Sequence, residues 1–207
     1  MAAPVPSYDQ EADALAHGAR FVAGVDEAGR GPLAGPVVAA AVILDSTAIP
    51  DGLADSKALA PQRRAELFEA LIAGARISIA ISSAREIDRI NIRQATLAAM
   101  RRAVSGLSQT PCLALVDGND CPELCCPVRP VVGGDAVCLS IAAASIVAKV
   151  SRDRVMARLA LSHSGYGFET HKGYSTPQHL AALAQLGPCP AHRRSFAPVA
   201  RLALELD

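Results

Sequence analysis

Four acidic residues stand where short predicted elements begin or end. Asp26 and Glu27 follow one apolar run, Asp117 ends another, and Asp135 follows a Gly-Gly turn just ahead of a long predicted helix. Strand ends and helix starts of an α/β sheet converge on one edge, so we expect these side chains to meet there. Four carboxylates carry about −4, which two Mg²⁺ or Mn²⁺ ions would balance. The pattern favours a two-metal site suited to phosphodiester hydrolysis.

Each acid also has an ordinary structural interpretation. Aspartate is a common turn former and helix cap, so Asp117 and Asp135 could serve the fold alone. Successive residues of a regular strand point to opposite faces, so Asp26 and Glu27 share one site only if the strand bends or ends there. The neighbouring glycines, Gly24, Gly29 and Gly31, would permit such a bend. The metal site is the preferred interpretation, and the structural one stays open.

The glycine-rich segment at residues 29–35 has a superficial likeness to a dinucleotide-binding turn. That motif requires a helix directly after its glycines, to present its N-terminus to the pyrophosphate. Here Pro32 and Pro36 intervene and a β-like apolar run follows. The segment therefore fits better as a loop whose backbone approaches a nucleic acid.

The elements that would position these residues follow from hydrophobic periodicity and from Gly and Pro breaks. Helices with apolar positions on one face alternate with short runs rich in Val and Ile. Strands come early as a meander and later alternate with helices, so the fold class is a mixed α/β sheet covered by helices. Strands are predicted at 21–25, 36–44, 76–81 and 113–116, and helices at 62–73, 92–104, 139–161, 176–186 and 198–206.

Composition limits the class of protein. The chain has 207 residues, 51% of them hydrophobic, which suits one globular domain with a small appended lobe. No apolar run approaches the roughly 20 residues of a membrane span, and we expect no signal peptide. Six cysteines at irregular spacing indicate reduced thiols and a cytoplasmic protein. Zinc at Cys121, Cys125 and Cys126 is disfavoured, because paired C-x-x-C spacing and a nearby histidine are missing.

Charge is unevenly distributed although its net value is zero. Residues 149–201 hold eight Lys or Arg against two acidic residues, a net charge of +6, and the rest of the chain holds 12 basic and 18 acidic residues, a net charge of −6. This asymmetry suits a basic face for phosphates beside an acidic pocket. A charge-sorted surface without a ligand is the alternative.

Motifs spread from about residue 20 to residue 200 resemble, in order, those of the ribonuclease HII family. The resemblance implies an RNase H-like mixed five-stranded sheet flanked by helices. It divides the chain into a poorly ordered N-terminal extension (1–19), a catalytic core (20–160) and a C-terminal helical lobe that completes the substrate cleft (161–207). The motifs are GVDEAGRGPLAGPVV (24–38), DSK (55–57), DGN (117–119), GD (134–135), SIAAASIVAKV (140–150), HKGY (171–174) and HRRSF (192–196).

The resemblance also implies an activity. Members of the family hydrolyse the RNA strand of RNA/DNA hybrids and nick duplex DNA 5′ to single ribonucleotides, leaving 3′-hydroxyl and 5′-phosphate ends. The matching metal ligands are Asp26, Glu27, Asp117 and Asp135, with Mn²⁺ or Mg²⁺ as cofactor. The sister family ribonuclease HIII carries a sizeable N-terminal extension, and only about twenty residues precede the first motif here, which favours HII.

Substrate contacts are implied for further matched residues. The Gly29-Arg30-Gly31 loop would lie along the minor groove and contact the 2′-hydroxyl, the group that distinguishes RNA from DNA. Tyr174 would stack on the sugar just beyond the RNA-to-DNA junction, and without the motif it would be read as a packing tyrosine. Lys57 and Lys172 are the main candidates for phosphate contacts. Lys149, Arg193 and Arg194 are weaker ones, and the two arginines could instead hold the lobe onto the core.

Three positions call for separate judgement. Gly133 stands where many family members have Lys, so a cation beside the fourth acid is missing there. Asp153 would lie roughly 20 Å along the helix from its start beside Asp135, so we expect an ion pair and not a fifth ligand. The tail at 201–207 is a candidate contact for a replication clamp on an otherwise monomeric protein.

Rival functions are a non-catalytic hybrid-binding protein and a phosphatase of small molecules.

Overall fold

The computed structural model describes residues 5–206, with side chains described up to residue 202. This part of the chain contains five strands and seven α-helices, and a 3-10 turn, Gly134–Ala136, precedes the longest helix. The strands are β1 (Val22–Ala28), β2 (Val37–Ile43), β3 (Arg76–Ser82), β4 (Leu113–Asp117) and β5 (Val128–Val131). The helices are α1 (Asp9–Ala16), α2 (Pro61–Gly74), α3 (Ala84–Ser105), α4 (Leu139–Ser162), α5 (Phe168–His171), α6 (Pro177–Leu186) and α7 (Ala197–Leu206).

The strands form one mixed sheet in the order β3-β2-β1-β4-β5. Strands β1, β2 and β3 pair antiparallel as a meander, and β4 and β5 run parallel to β1. The central strand β1 is buried between two neighbours. The predicted mixed α/β sheet is therefore confirmed, and β1 and β4 end at the same edge.

Helices cover both faces of the sheet. Helix α4 packs with α2 on one face, where the small residues of its first turns let it approach closely, and α3 covers the other face. Gly24 of β1 faces α4, and a β-carbon there would overlap the main chain of Ser140. The strand and the helix are therefore in backbone contact, which only glycine permits at this position.

Helix α3 and strand β5 are among the elements that differ from prediction. Helix α3 begins at Ala84, eight residues before the predicted start, because a kink at Asn91 (φ 65°) joins two helical segments. Ser83 caps the first segment by accepting a hydrogen bond from the amide of Glu86 at 3.2 Å. Strand β5 was not predicted, since this short edge strand contains Pro130 and lacks alternating apolar residues.

Residues 9–16, expected to be poorly ordered, form helix α1 and pack against the core. Glu11 is buried and its carboxylate accepts hydrogen bonds from the Ser140 amide at 2.7 Å and the Cys138 thiol at 3.1 Å. Ser7 pairs with the same segment through backbone bonds to Val137 and Leu139. One buried glutamate thus ties the extension to the start of α4. Residues 1–4 of the predicted extension lie outside the described residues.

The C-terminal helices pack on the far end of α4. Met156 of α4 shares a buried cluster with Ala34, Tyr166 and Phe168, while Leu183 of α6 packs on Leu33 in another. The predicted boundary at residues 160 and 161 falls inside α4 and stays a prediction. Between residues 5 and 206, no helix has the length and apolar content needed to cross a membrane. The six cysteines are all unpaired.

Candidate active site

Three of the four predicted acids meet at one edge of the sheet. Asp26, Asp117 and Asp135 each offer a carboxylate oxygen, and these oxygens lie within 4.8 Å of one another. Val25 of β1 pairs in register with Val116 of β4, so the next residues along the two parallel strands are Asp26 and Asp117. Asp135 joins them from the 3-10 turn after β5. Parallel pairing therefore builds the cluster that the sequence predicted.

Backbone amides orient two of these carboxylates. The amide of Glu27 donates to Asp26 Oδ1 at 2.6 Å, and the amide of Gly134 donates to Asp117 Oδ1 at 2.7 Å. The second bond links β4 directly to the turn that carries Asp135. Main-chain amides therefore help to orient the carboxylates of Asp26 and Asp117.

Crowding and burial make the negative charges of the cluster costly. Burial, Glu27 and Asp117 raise the pKa of Asp26 well above its usual range, and burial, Asp55 and Asp117 raise the pKa of Asp135. A divalent cation would relieve this repulsion, and carboxylate oxygens are the ligands that Mg²⁺ and Mn²⁺ prefer. The donor set therefore fits a divalent metal.

Glu27 does not join the three-oxygen cluster. A shared site required strand β1 to bend or end at Asp26 and Glu27. The strand does neither and continues to Ala28. Alternation therefore directs Asp26 toward α4 and Glu27 toward α3, where Glu27 lines a small cavity with Thr96 and Met100 of α3. Its Oε1 lies 3.3 Å from the Arg30 guanidinium. Burial raises the pKa of Glu27 even though Arg30 opposes the shift.

A cleft of about 280 Å³ joins Asp26, Glu27 and Asp117 to most of the predicted substrate contacts. Two serines that line it, Ser56 and Ser145, were not predicted as site residues, although both lie in the quoted motifs, and their hydroxyls are hydrogen-bonded at 2.7 Å. The cleft is lined by Asp26, Glu27, Ala28, Gly29, Arg30, Gly31, Ser56, Lys57, Asp117, Ser145, Lys149 and Tyr174.

The lysines differ in how they relate to the cleft. Lys57 Nζ lies 3.5 Å from Asp135 Oδ2, and although burial alone would lower its pKa, Asp55, Asp135 and Asp26 raise it overall. Lys149 lines the cleft and pairs with Asp153 at 2.7 Å, the ion pair expected of Asp153. Lys172 does not line the cleft, since its ammonium donates to the Glu169 carbonyl at 2.6 Å.

Comparison with known proteins identifies the family. The ribonuclease HII family model matches residues 23–199. This chain belongs to the ribonuclease HII family. Ribonuclease HII of Parvibaculum lavamentivorans is 63% identical over 185 residues, covering 89% of this chain and 69% of the relative. Ribonuclease H2 from Pyrococcus horikoshii OT3 has a TM-score of 0.77 at 28% identity, covering 89% of this chain and 98% of that one. Ribonuclease HII in the PCNA complex from Archaeoglobus fulgidus has a TM-score of 0.72 at 28% identity, covering 85% and 95%.

Membership in the ribonuclease HII family confirms the predicted RNase H-like fold and the enzyme class. The chain is a type 2 ribonuclease H, an endonuclease that hydrolyses RNA in RNA/DNA hybrids. The predictions of a non-catalytic binding protein and of a small-molecule phosphatase are thereby set aside.

Two buried arginines, Arg193 and Arg152, bind the interior side of the Gly29–Pro36 loop. Arg193 donates from Nε to the Gly35 carbonyl at 3.0 Å and from its two terminal nitrogens to Arg30 at 2.7 Å and Gly29 at 2.5 Å. Arg152 donates to the carbonyls of Pro36, Ala34 and Lys172 at 3.0, 3.2 and 3.0 Å.

These contacts decide between the two predicted roles of Arg193. Its side chain is fully buried, so it ties the C-terminal lobe to the loop and does not touch phosphate. Burial and the nearby Arg152 lower the pKa of Arg193 to about 9, so it remains charged at neutral pH. Sequence alone could not separate this arginine from a surface one.

Tyr174 lines the same cleft as Asp26, Glu27 and Asp117, and the residue is 46% exposed. A hydrogen-bonded pair of buried histidines supports its backbone: His179 Nδ1 lies 2.9 Å from the Tyr174 carbonyl oxygen, and His192 lies behind His179. The Arg152 guanidinium carbon lies 5.8 Å from the tyrosine ring centroid. The exposed ring of Tyr174 is therefore attached to a backbone that buried side chains support.

The departure from the ribonuclease HII pattern at Gly133 has a local explanation. Gly133 adopts a left-handed conformation with φ 65°, and no atom lies within 4 Å of where its β-carbon would be. A side chain would therefore have space there but would strain the backbone. Because Lys57 lies beside Asp135, this chain has a cation next to the acid without a lysine at 133.

Proposed function

We propose that this enzyme also nicks duplex DNA 5′ to single embedded ribonucleotides, leaving 3′-hydroxyl and 5′-phosphate ends. The observation that carries the proposal is the shared cleft, which is lined by Asp26 and Asp117 and by the Gly29-Arg30-Gly31 loop, whose Arg30 and Gly31 are exposed. Recognition of one ribonucleotide and cleavage next to it require such proximity, because a single 2′-hydroxyl marks the site.

Asp26, Asp117 and Asp135 would hold Mn²⁺ or Mg²⁺, with Glu27 as the fourth proposed ligand. A pair of such ions, when bound, activates water and stabilises charge on the phosphate and leaving oxygens. The chain's own contribution is to fix the carboxylates through the amides of Glu27 and Gly134. Lys57 and Lys149 supply positive charge at the cleft for the neighbouring phosphates.

Recognition of the ribonucleotide is assigned to two features that line the cleft. The loop offers the exposed Arg30 and Gly31, with the buried Gly29 next to them, to the 2′-hydroxyl. The Tyr174 ring stacks on the first deoxyribose beyond the junction, where close packing would exclude an added hydroxyl. Lys172 stays a candidate for phosphate contact outside the cleft.

Partners and location are proposed on separate grounds. The PCNA complex of the Archaeoglobus fulgidus protein supports a sliding-clamp contact through residues 201–207 of this otherwise monomeric protein. Asp207 and the side chains of residues 203–206 lie outside the described residues. Six unpaired cysteines support a cytoplasmic location.

The test uses a DNA duplex with one ribonucleotide, incubated with the protein and Mn²⁺ or Mg²⁺. We expect one nick on the 5′ side of the ribonucleotide, an end that a DNA polymerase extends, no cut in the all-DNA duplex and no cut in EDTA. Cleavage of a continuous RNA/DNA hybrid without a nick at the single ribonucleotide would refute the proposal. Cleavage that persists in EDTA would refute the metal site.

A further inference from the structure

Arg152 and Arg193 are the largest of the fully buried side chains. Among the side chains of residues 5–202, neither lies within ion-pair distance of a carboxylate. A buried guanidinium is costly unless its donors are hydrogen-bonded. All the described hydrogen bonds of both go to backbone carbonyls of the glycine-rich loop and the Tyr174 segment. The two buried guanidinium groups therefore bind main-chain carbonyls next to the cleft.

The bonds of Arg193 determine which way two peptide groups face. Its terminal nitrogens hold the carbonyls of Gly29 and Arg30 toward the protein interior. Both peptides are trans, and in a trans peptide the N–H points opposite to the C=O. The amides of Arg30 and Gly31 therefore point away from Arg193, and both residues are exposed at the cleft.

These two amides are free to bind substrate. Among the described residues, neither Arg30 nor Gly31 donates a backbone hydrogen bond. Adjacent outward N–H groups form a concave donor site for an electron-rich oxygen. Donors held in place before binding lose little entropy when they engage a ligand.

We propose that Arg193 is a positioning residue for ribonucleotide recognition. It holds the Gly29–Arg30 and Arg30–Gly31 peptides so that their N–H groups face the 2′-hydroxyl oxygen in the cleft. This inference rests on the proposed function, in which the loop reads that hydroxyl. Arg193 itself contacts no substrate, because it is fully buried.

A merely structural role predicts a different pattern. The adjoining residues of the same segment are anchored from outside by Asp88, which accepts hydrogen bonds from the amides of Arg194 at 3.0 Å and Ser195 at 2.9 Å. Asp88 accepts no described hydrogen bond from the loop, and it acts on Arg193 through charge alone. We expect Asp88→Ala to loosen the segment and to leave the hydrogen bonds of Arg193 in place, so it serves as the matched control.

The experiment measures selectivity and not activity. Fluorescence anisotropy in EDTA gives Kd for a duplex with one ribonucleotide and for the same all-DNA duplex, well below the Tm of each variant. Arg193→Lys keeps the charge but loses the planar fork, and Arg193→Gln keeps a donor without the charge. The preference for the ribonucleotide is the Kd of the all-DNA duplex divided by the Kd of the ribonucleotide duplex. We expect each variant to reduce this ratio about tenfold, as the loss of one or two hydrogen bonds implies. Asp88→Ala should lower Tm and leave the ratio unchanged.

The outcomes separate the two proposals. If the unaltered protein binds both duplexes equally, the proposed reading of the 2′-hydroxyl fails. If it prefers the ribonucleotide and both Arg193 variants keep that preference, the positioning role is overturned and the proposed function stands. An equal loss of preference in Asp88→Ala also overturns it.

Amide hydrogen exchange on the unaltered protein gives a second test that does not depend on variants folding. Residues 30 and 31 should exchange quickly in the free protein. The ribonucleotide duplex should protect them and the all-DNA duplex should not. Equal protection by both duplexes overturns the inference.

Discussion

The Nε2 atoms of His179 and His192 lie 3.1 Å apart, and both rings are buried. His192 Nδ1 accepts the Cys189 amide at 3.0 Å, so its proton is on Nε2, which donates to His179. His179 in turn donates from Nδ1 to the Tyr174 carbonyl oxygen at 2.9 Å. Both histidines are therefore neutral, and a second proton on either ring breaks one of these bonds.

We expect the protein to lose stability as pH falls from about 6.5 to about 4. Burial and His179 lower the pKa of His192 to about 4, below its unfolded value of 6.5. The unfolded chain therefore binds more protons in this window, and acid favours unfolding by up to about 3 kcal/mol. Thermal unfolding of His192→Gln should show a shallower decrease in Tm with acid. The exposed His17→Gln is the control, and equal pH dependence in all three proteins would contradict the prediction.

Asp135→Asn should abolish cleavage, by about a thousandfold or more, because it removes one charged metal ligand without changing shape. Asp135 does not line the cleft, so duplex affinity should change only a few-fold. Single-turnover cleavage and anisotropy measure the two effects. Asp13→Asn, on α1 and away from the acids, should behave like the unaltered protein. Normal turnover by Asp135→Asn would exclude this residue from the site.

Gly29→Ala should lower the stability of the protein, whereas Gly31→Ala should lower its affinity for the hybrid. Gly29 has φ 97° and a β-carbon there would overlap Arg152, so we expect a much lower Tm. At Gly31 a β-carbon meets nothing within 4 Å, so Tm should stay the same while affinity for the hybrid decreases about tenfold. Calorimetry and duplex binding together check this. Normal binding by Gly31→Ala would mean that the substrate does not approach this backbone.

Tyr174→Ala should reduce cleavage at an RNA-to-DNA junction about tenfold through loss of aromatic packing. The residue is 46% exposed, so Tm should change little. Tyr174→Phe keeps the ring face and should cleave like the unaltered protein. Rates on a junction substrate are compared with rates on a continuous hybrid. A similar loss on both substrates would argue against junction recognition by this ring.

Glu11→Ala should lower the free energy of unfolding by about 1–3 kcal/mol, because the Ser140 amide and Cys138 thiol lose their buried acceptor. Chemical denaturation measures the change. Asp13→Ala on the same helix removes an exposed carboxylate and should have almost no effect. If the two variants are equally stable, α1 contributes little to the fold.

The sequence predicted most elements because their local signals agree with their tertiary environment. Helix α4 was predicted within one residue of its observed bounds, since its small and apolar residues suit both helix formation and burial. The first part of α3 was missed because the kink at Asn91 interrupts the helical pattern. Strand β5 was missed because its pairing with β4, and not its own composition, makes it a strand.

The sequence predicted the part of the site that lies at the ends of neighbouring elements. Adjacent strand ends bring Asp26 and Asp117 together, and a turn brings Asp135. Glu27 lies on the opposite face of β1 from Asp26 because the strand continues without a bend, and its role as a metal ligand stays a prediction. The role of Arg193 was out of reach, since its carbonyl partners lie more than 150 residues away in sequence.

The backbone contact between Gly24 and Ser140 bears on how the enzyme tolerates change. Because no side chain lies between β1 and α4 at this point, their spacing is independent of side-chain volume. The distance between Asp26 on the strand and the turn that precedes the helix therefore depends on main-chain geometry. Any side chain at Gly24 would push the helix away from the strand, so we expect substitutions there to shift Asp135 relative to Asp26.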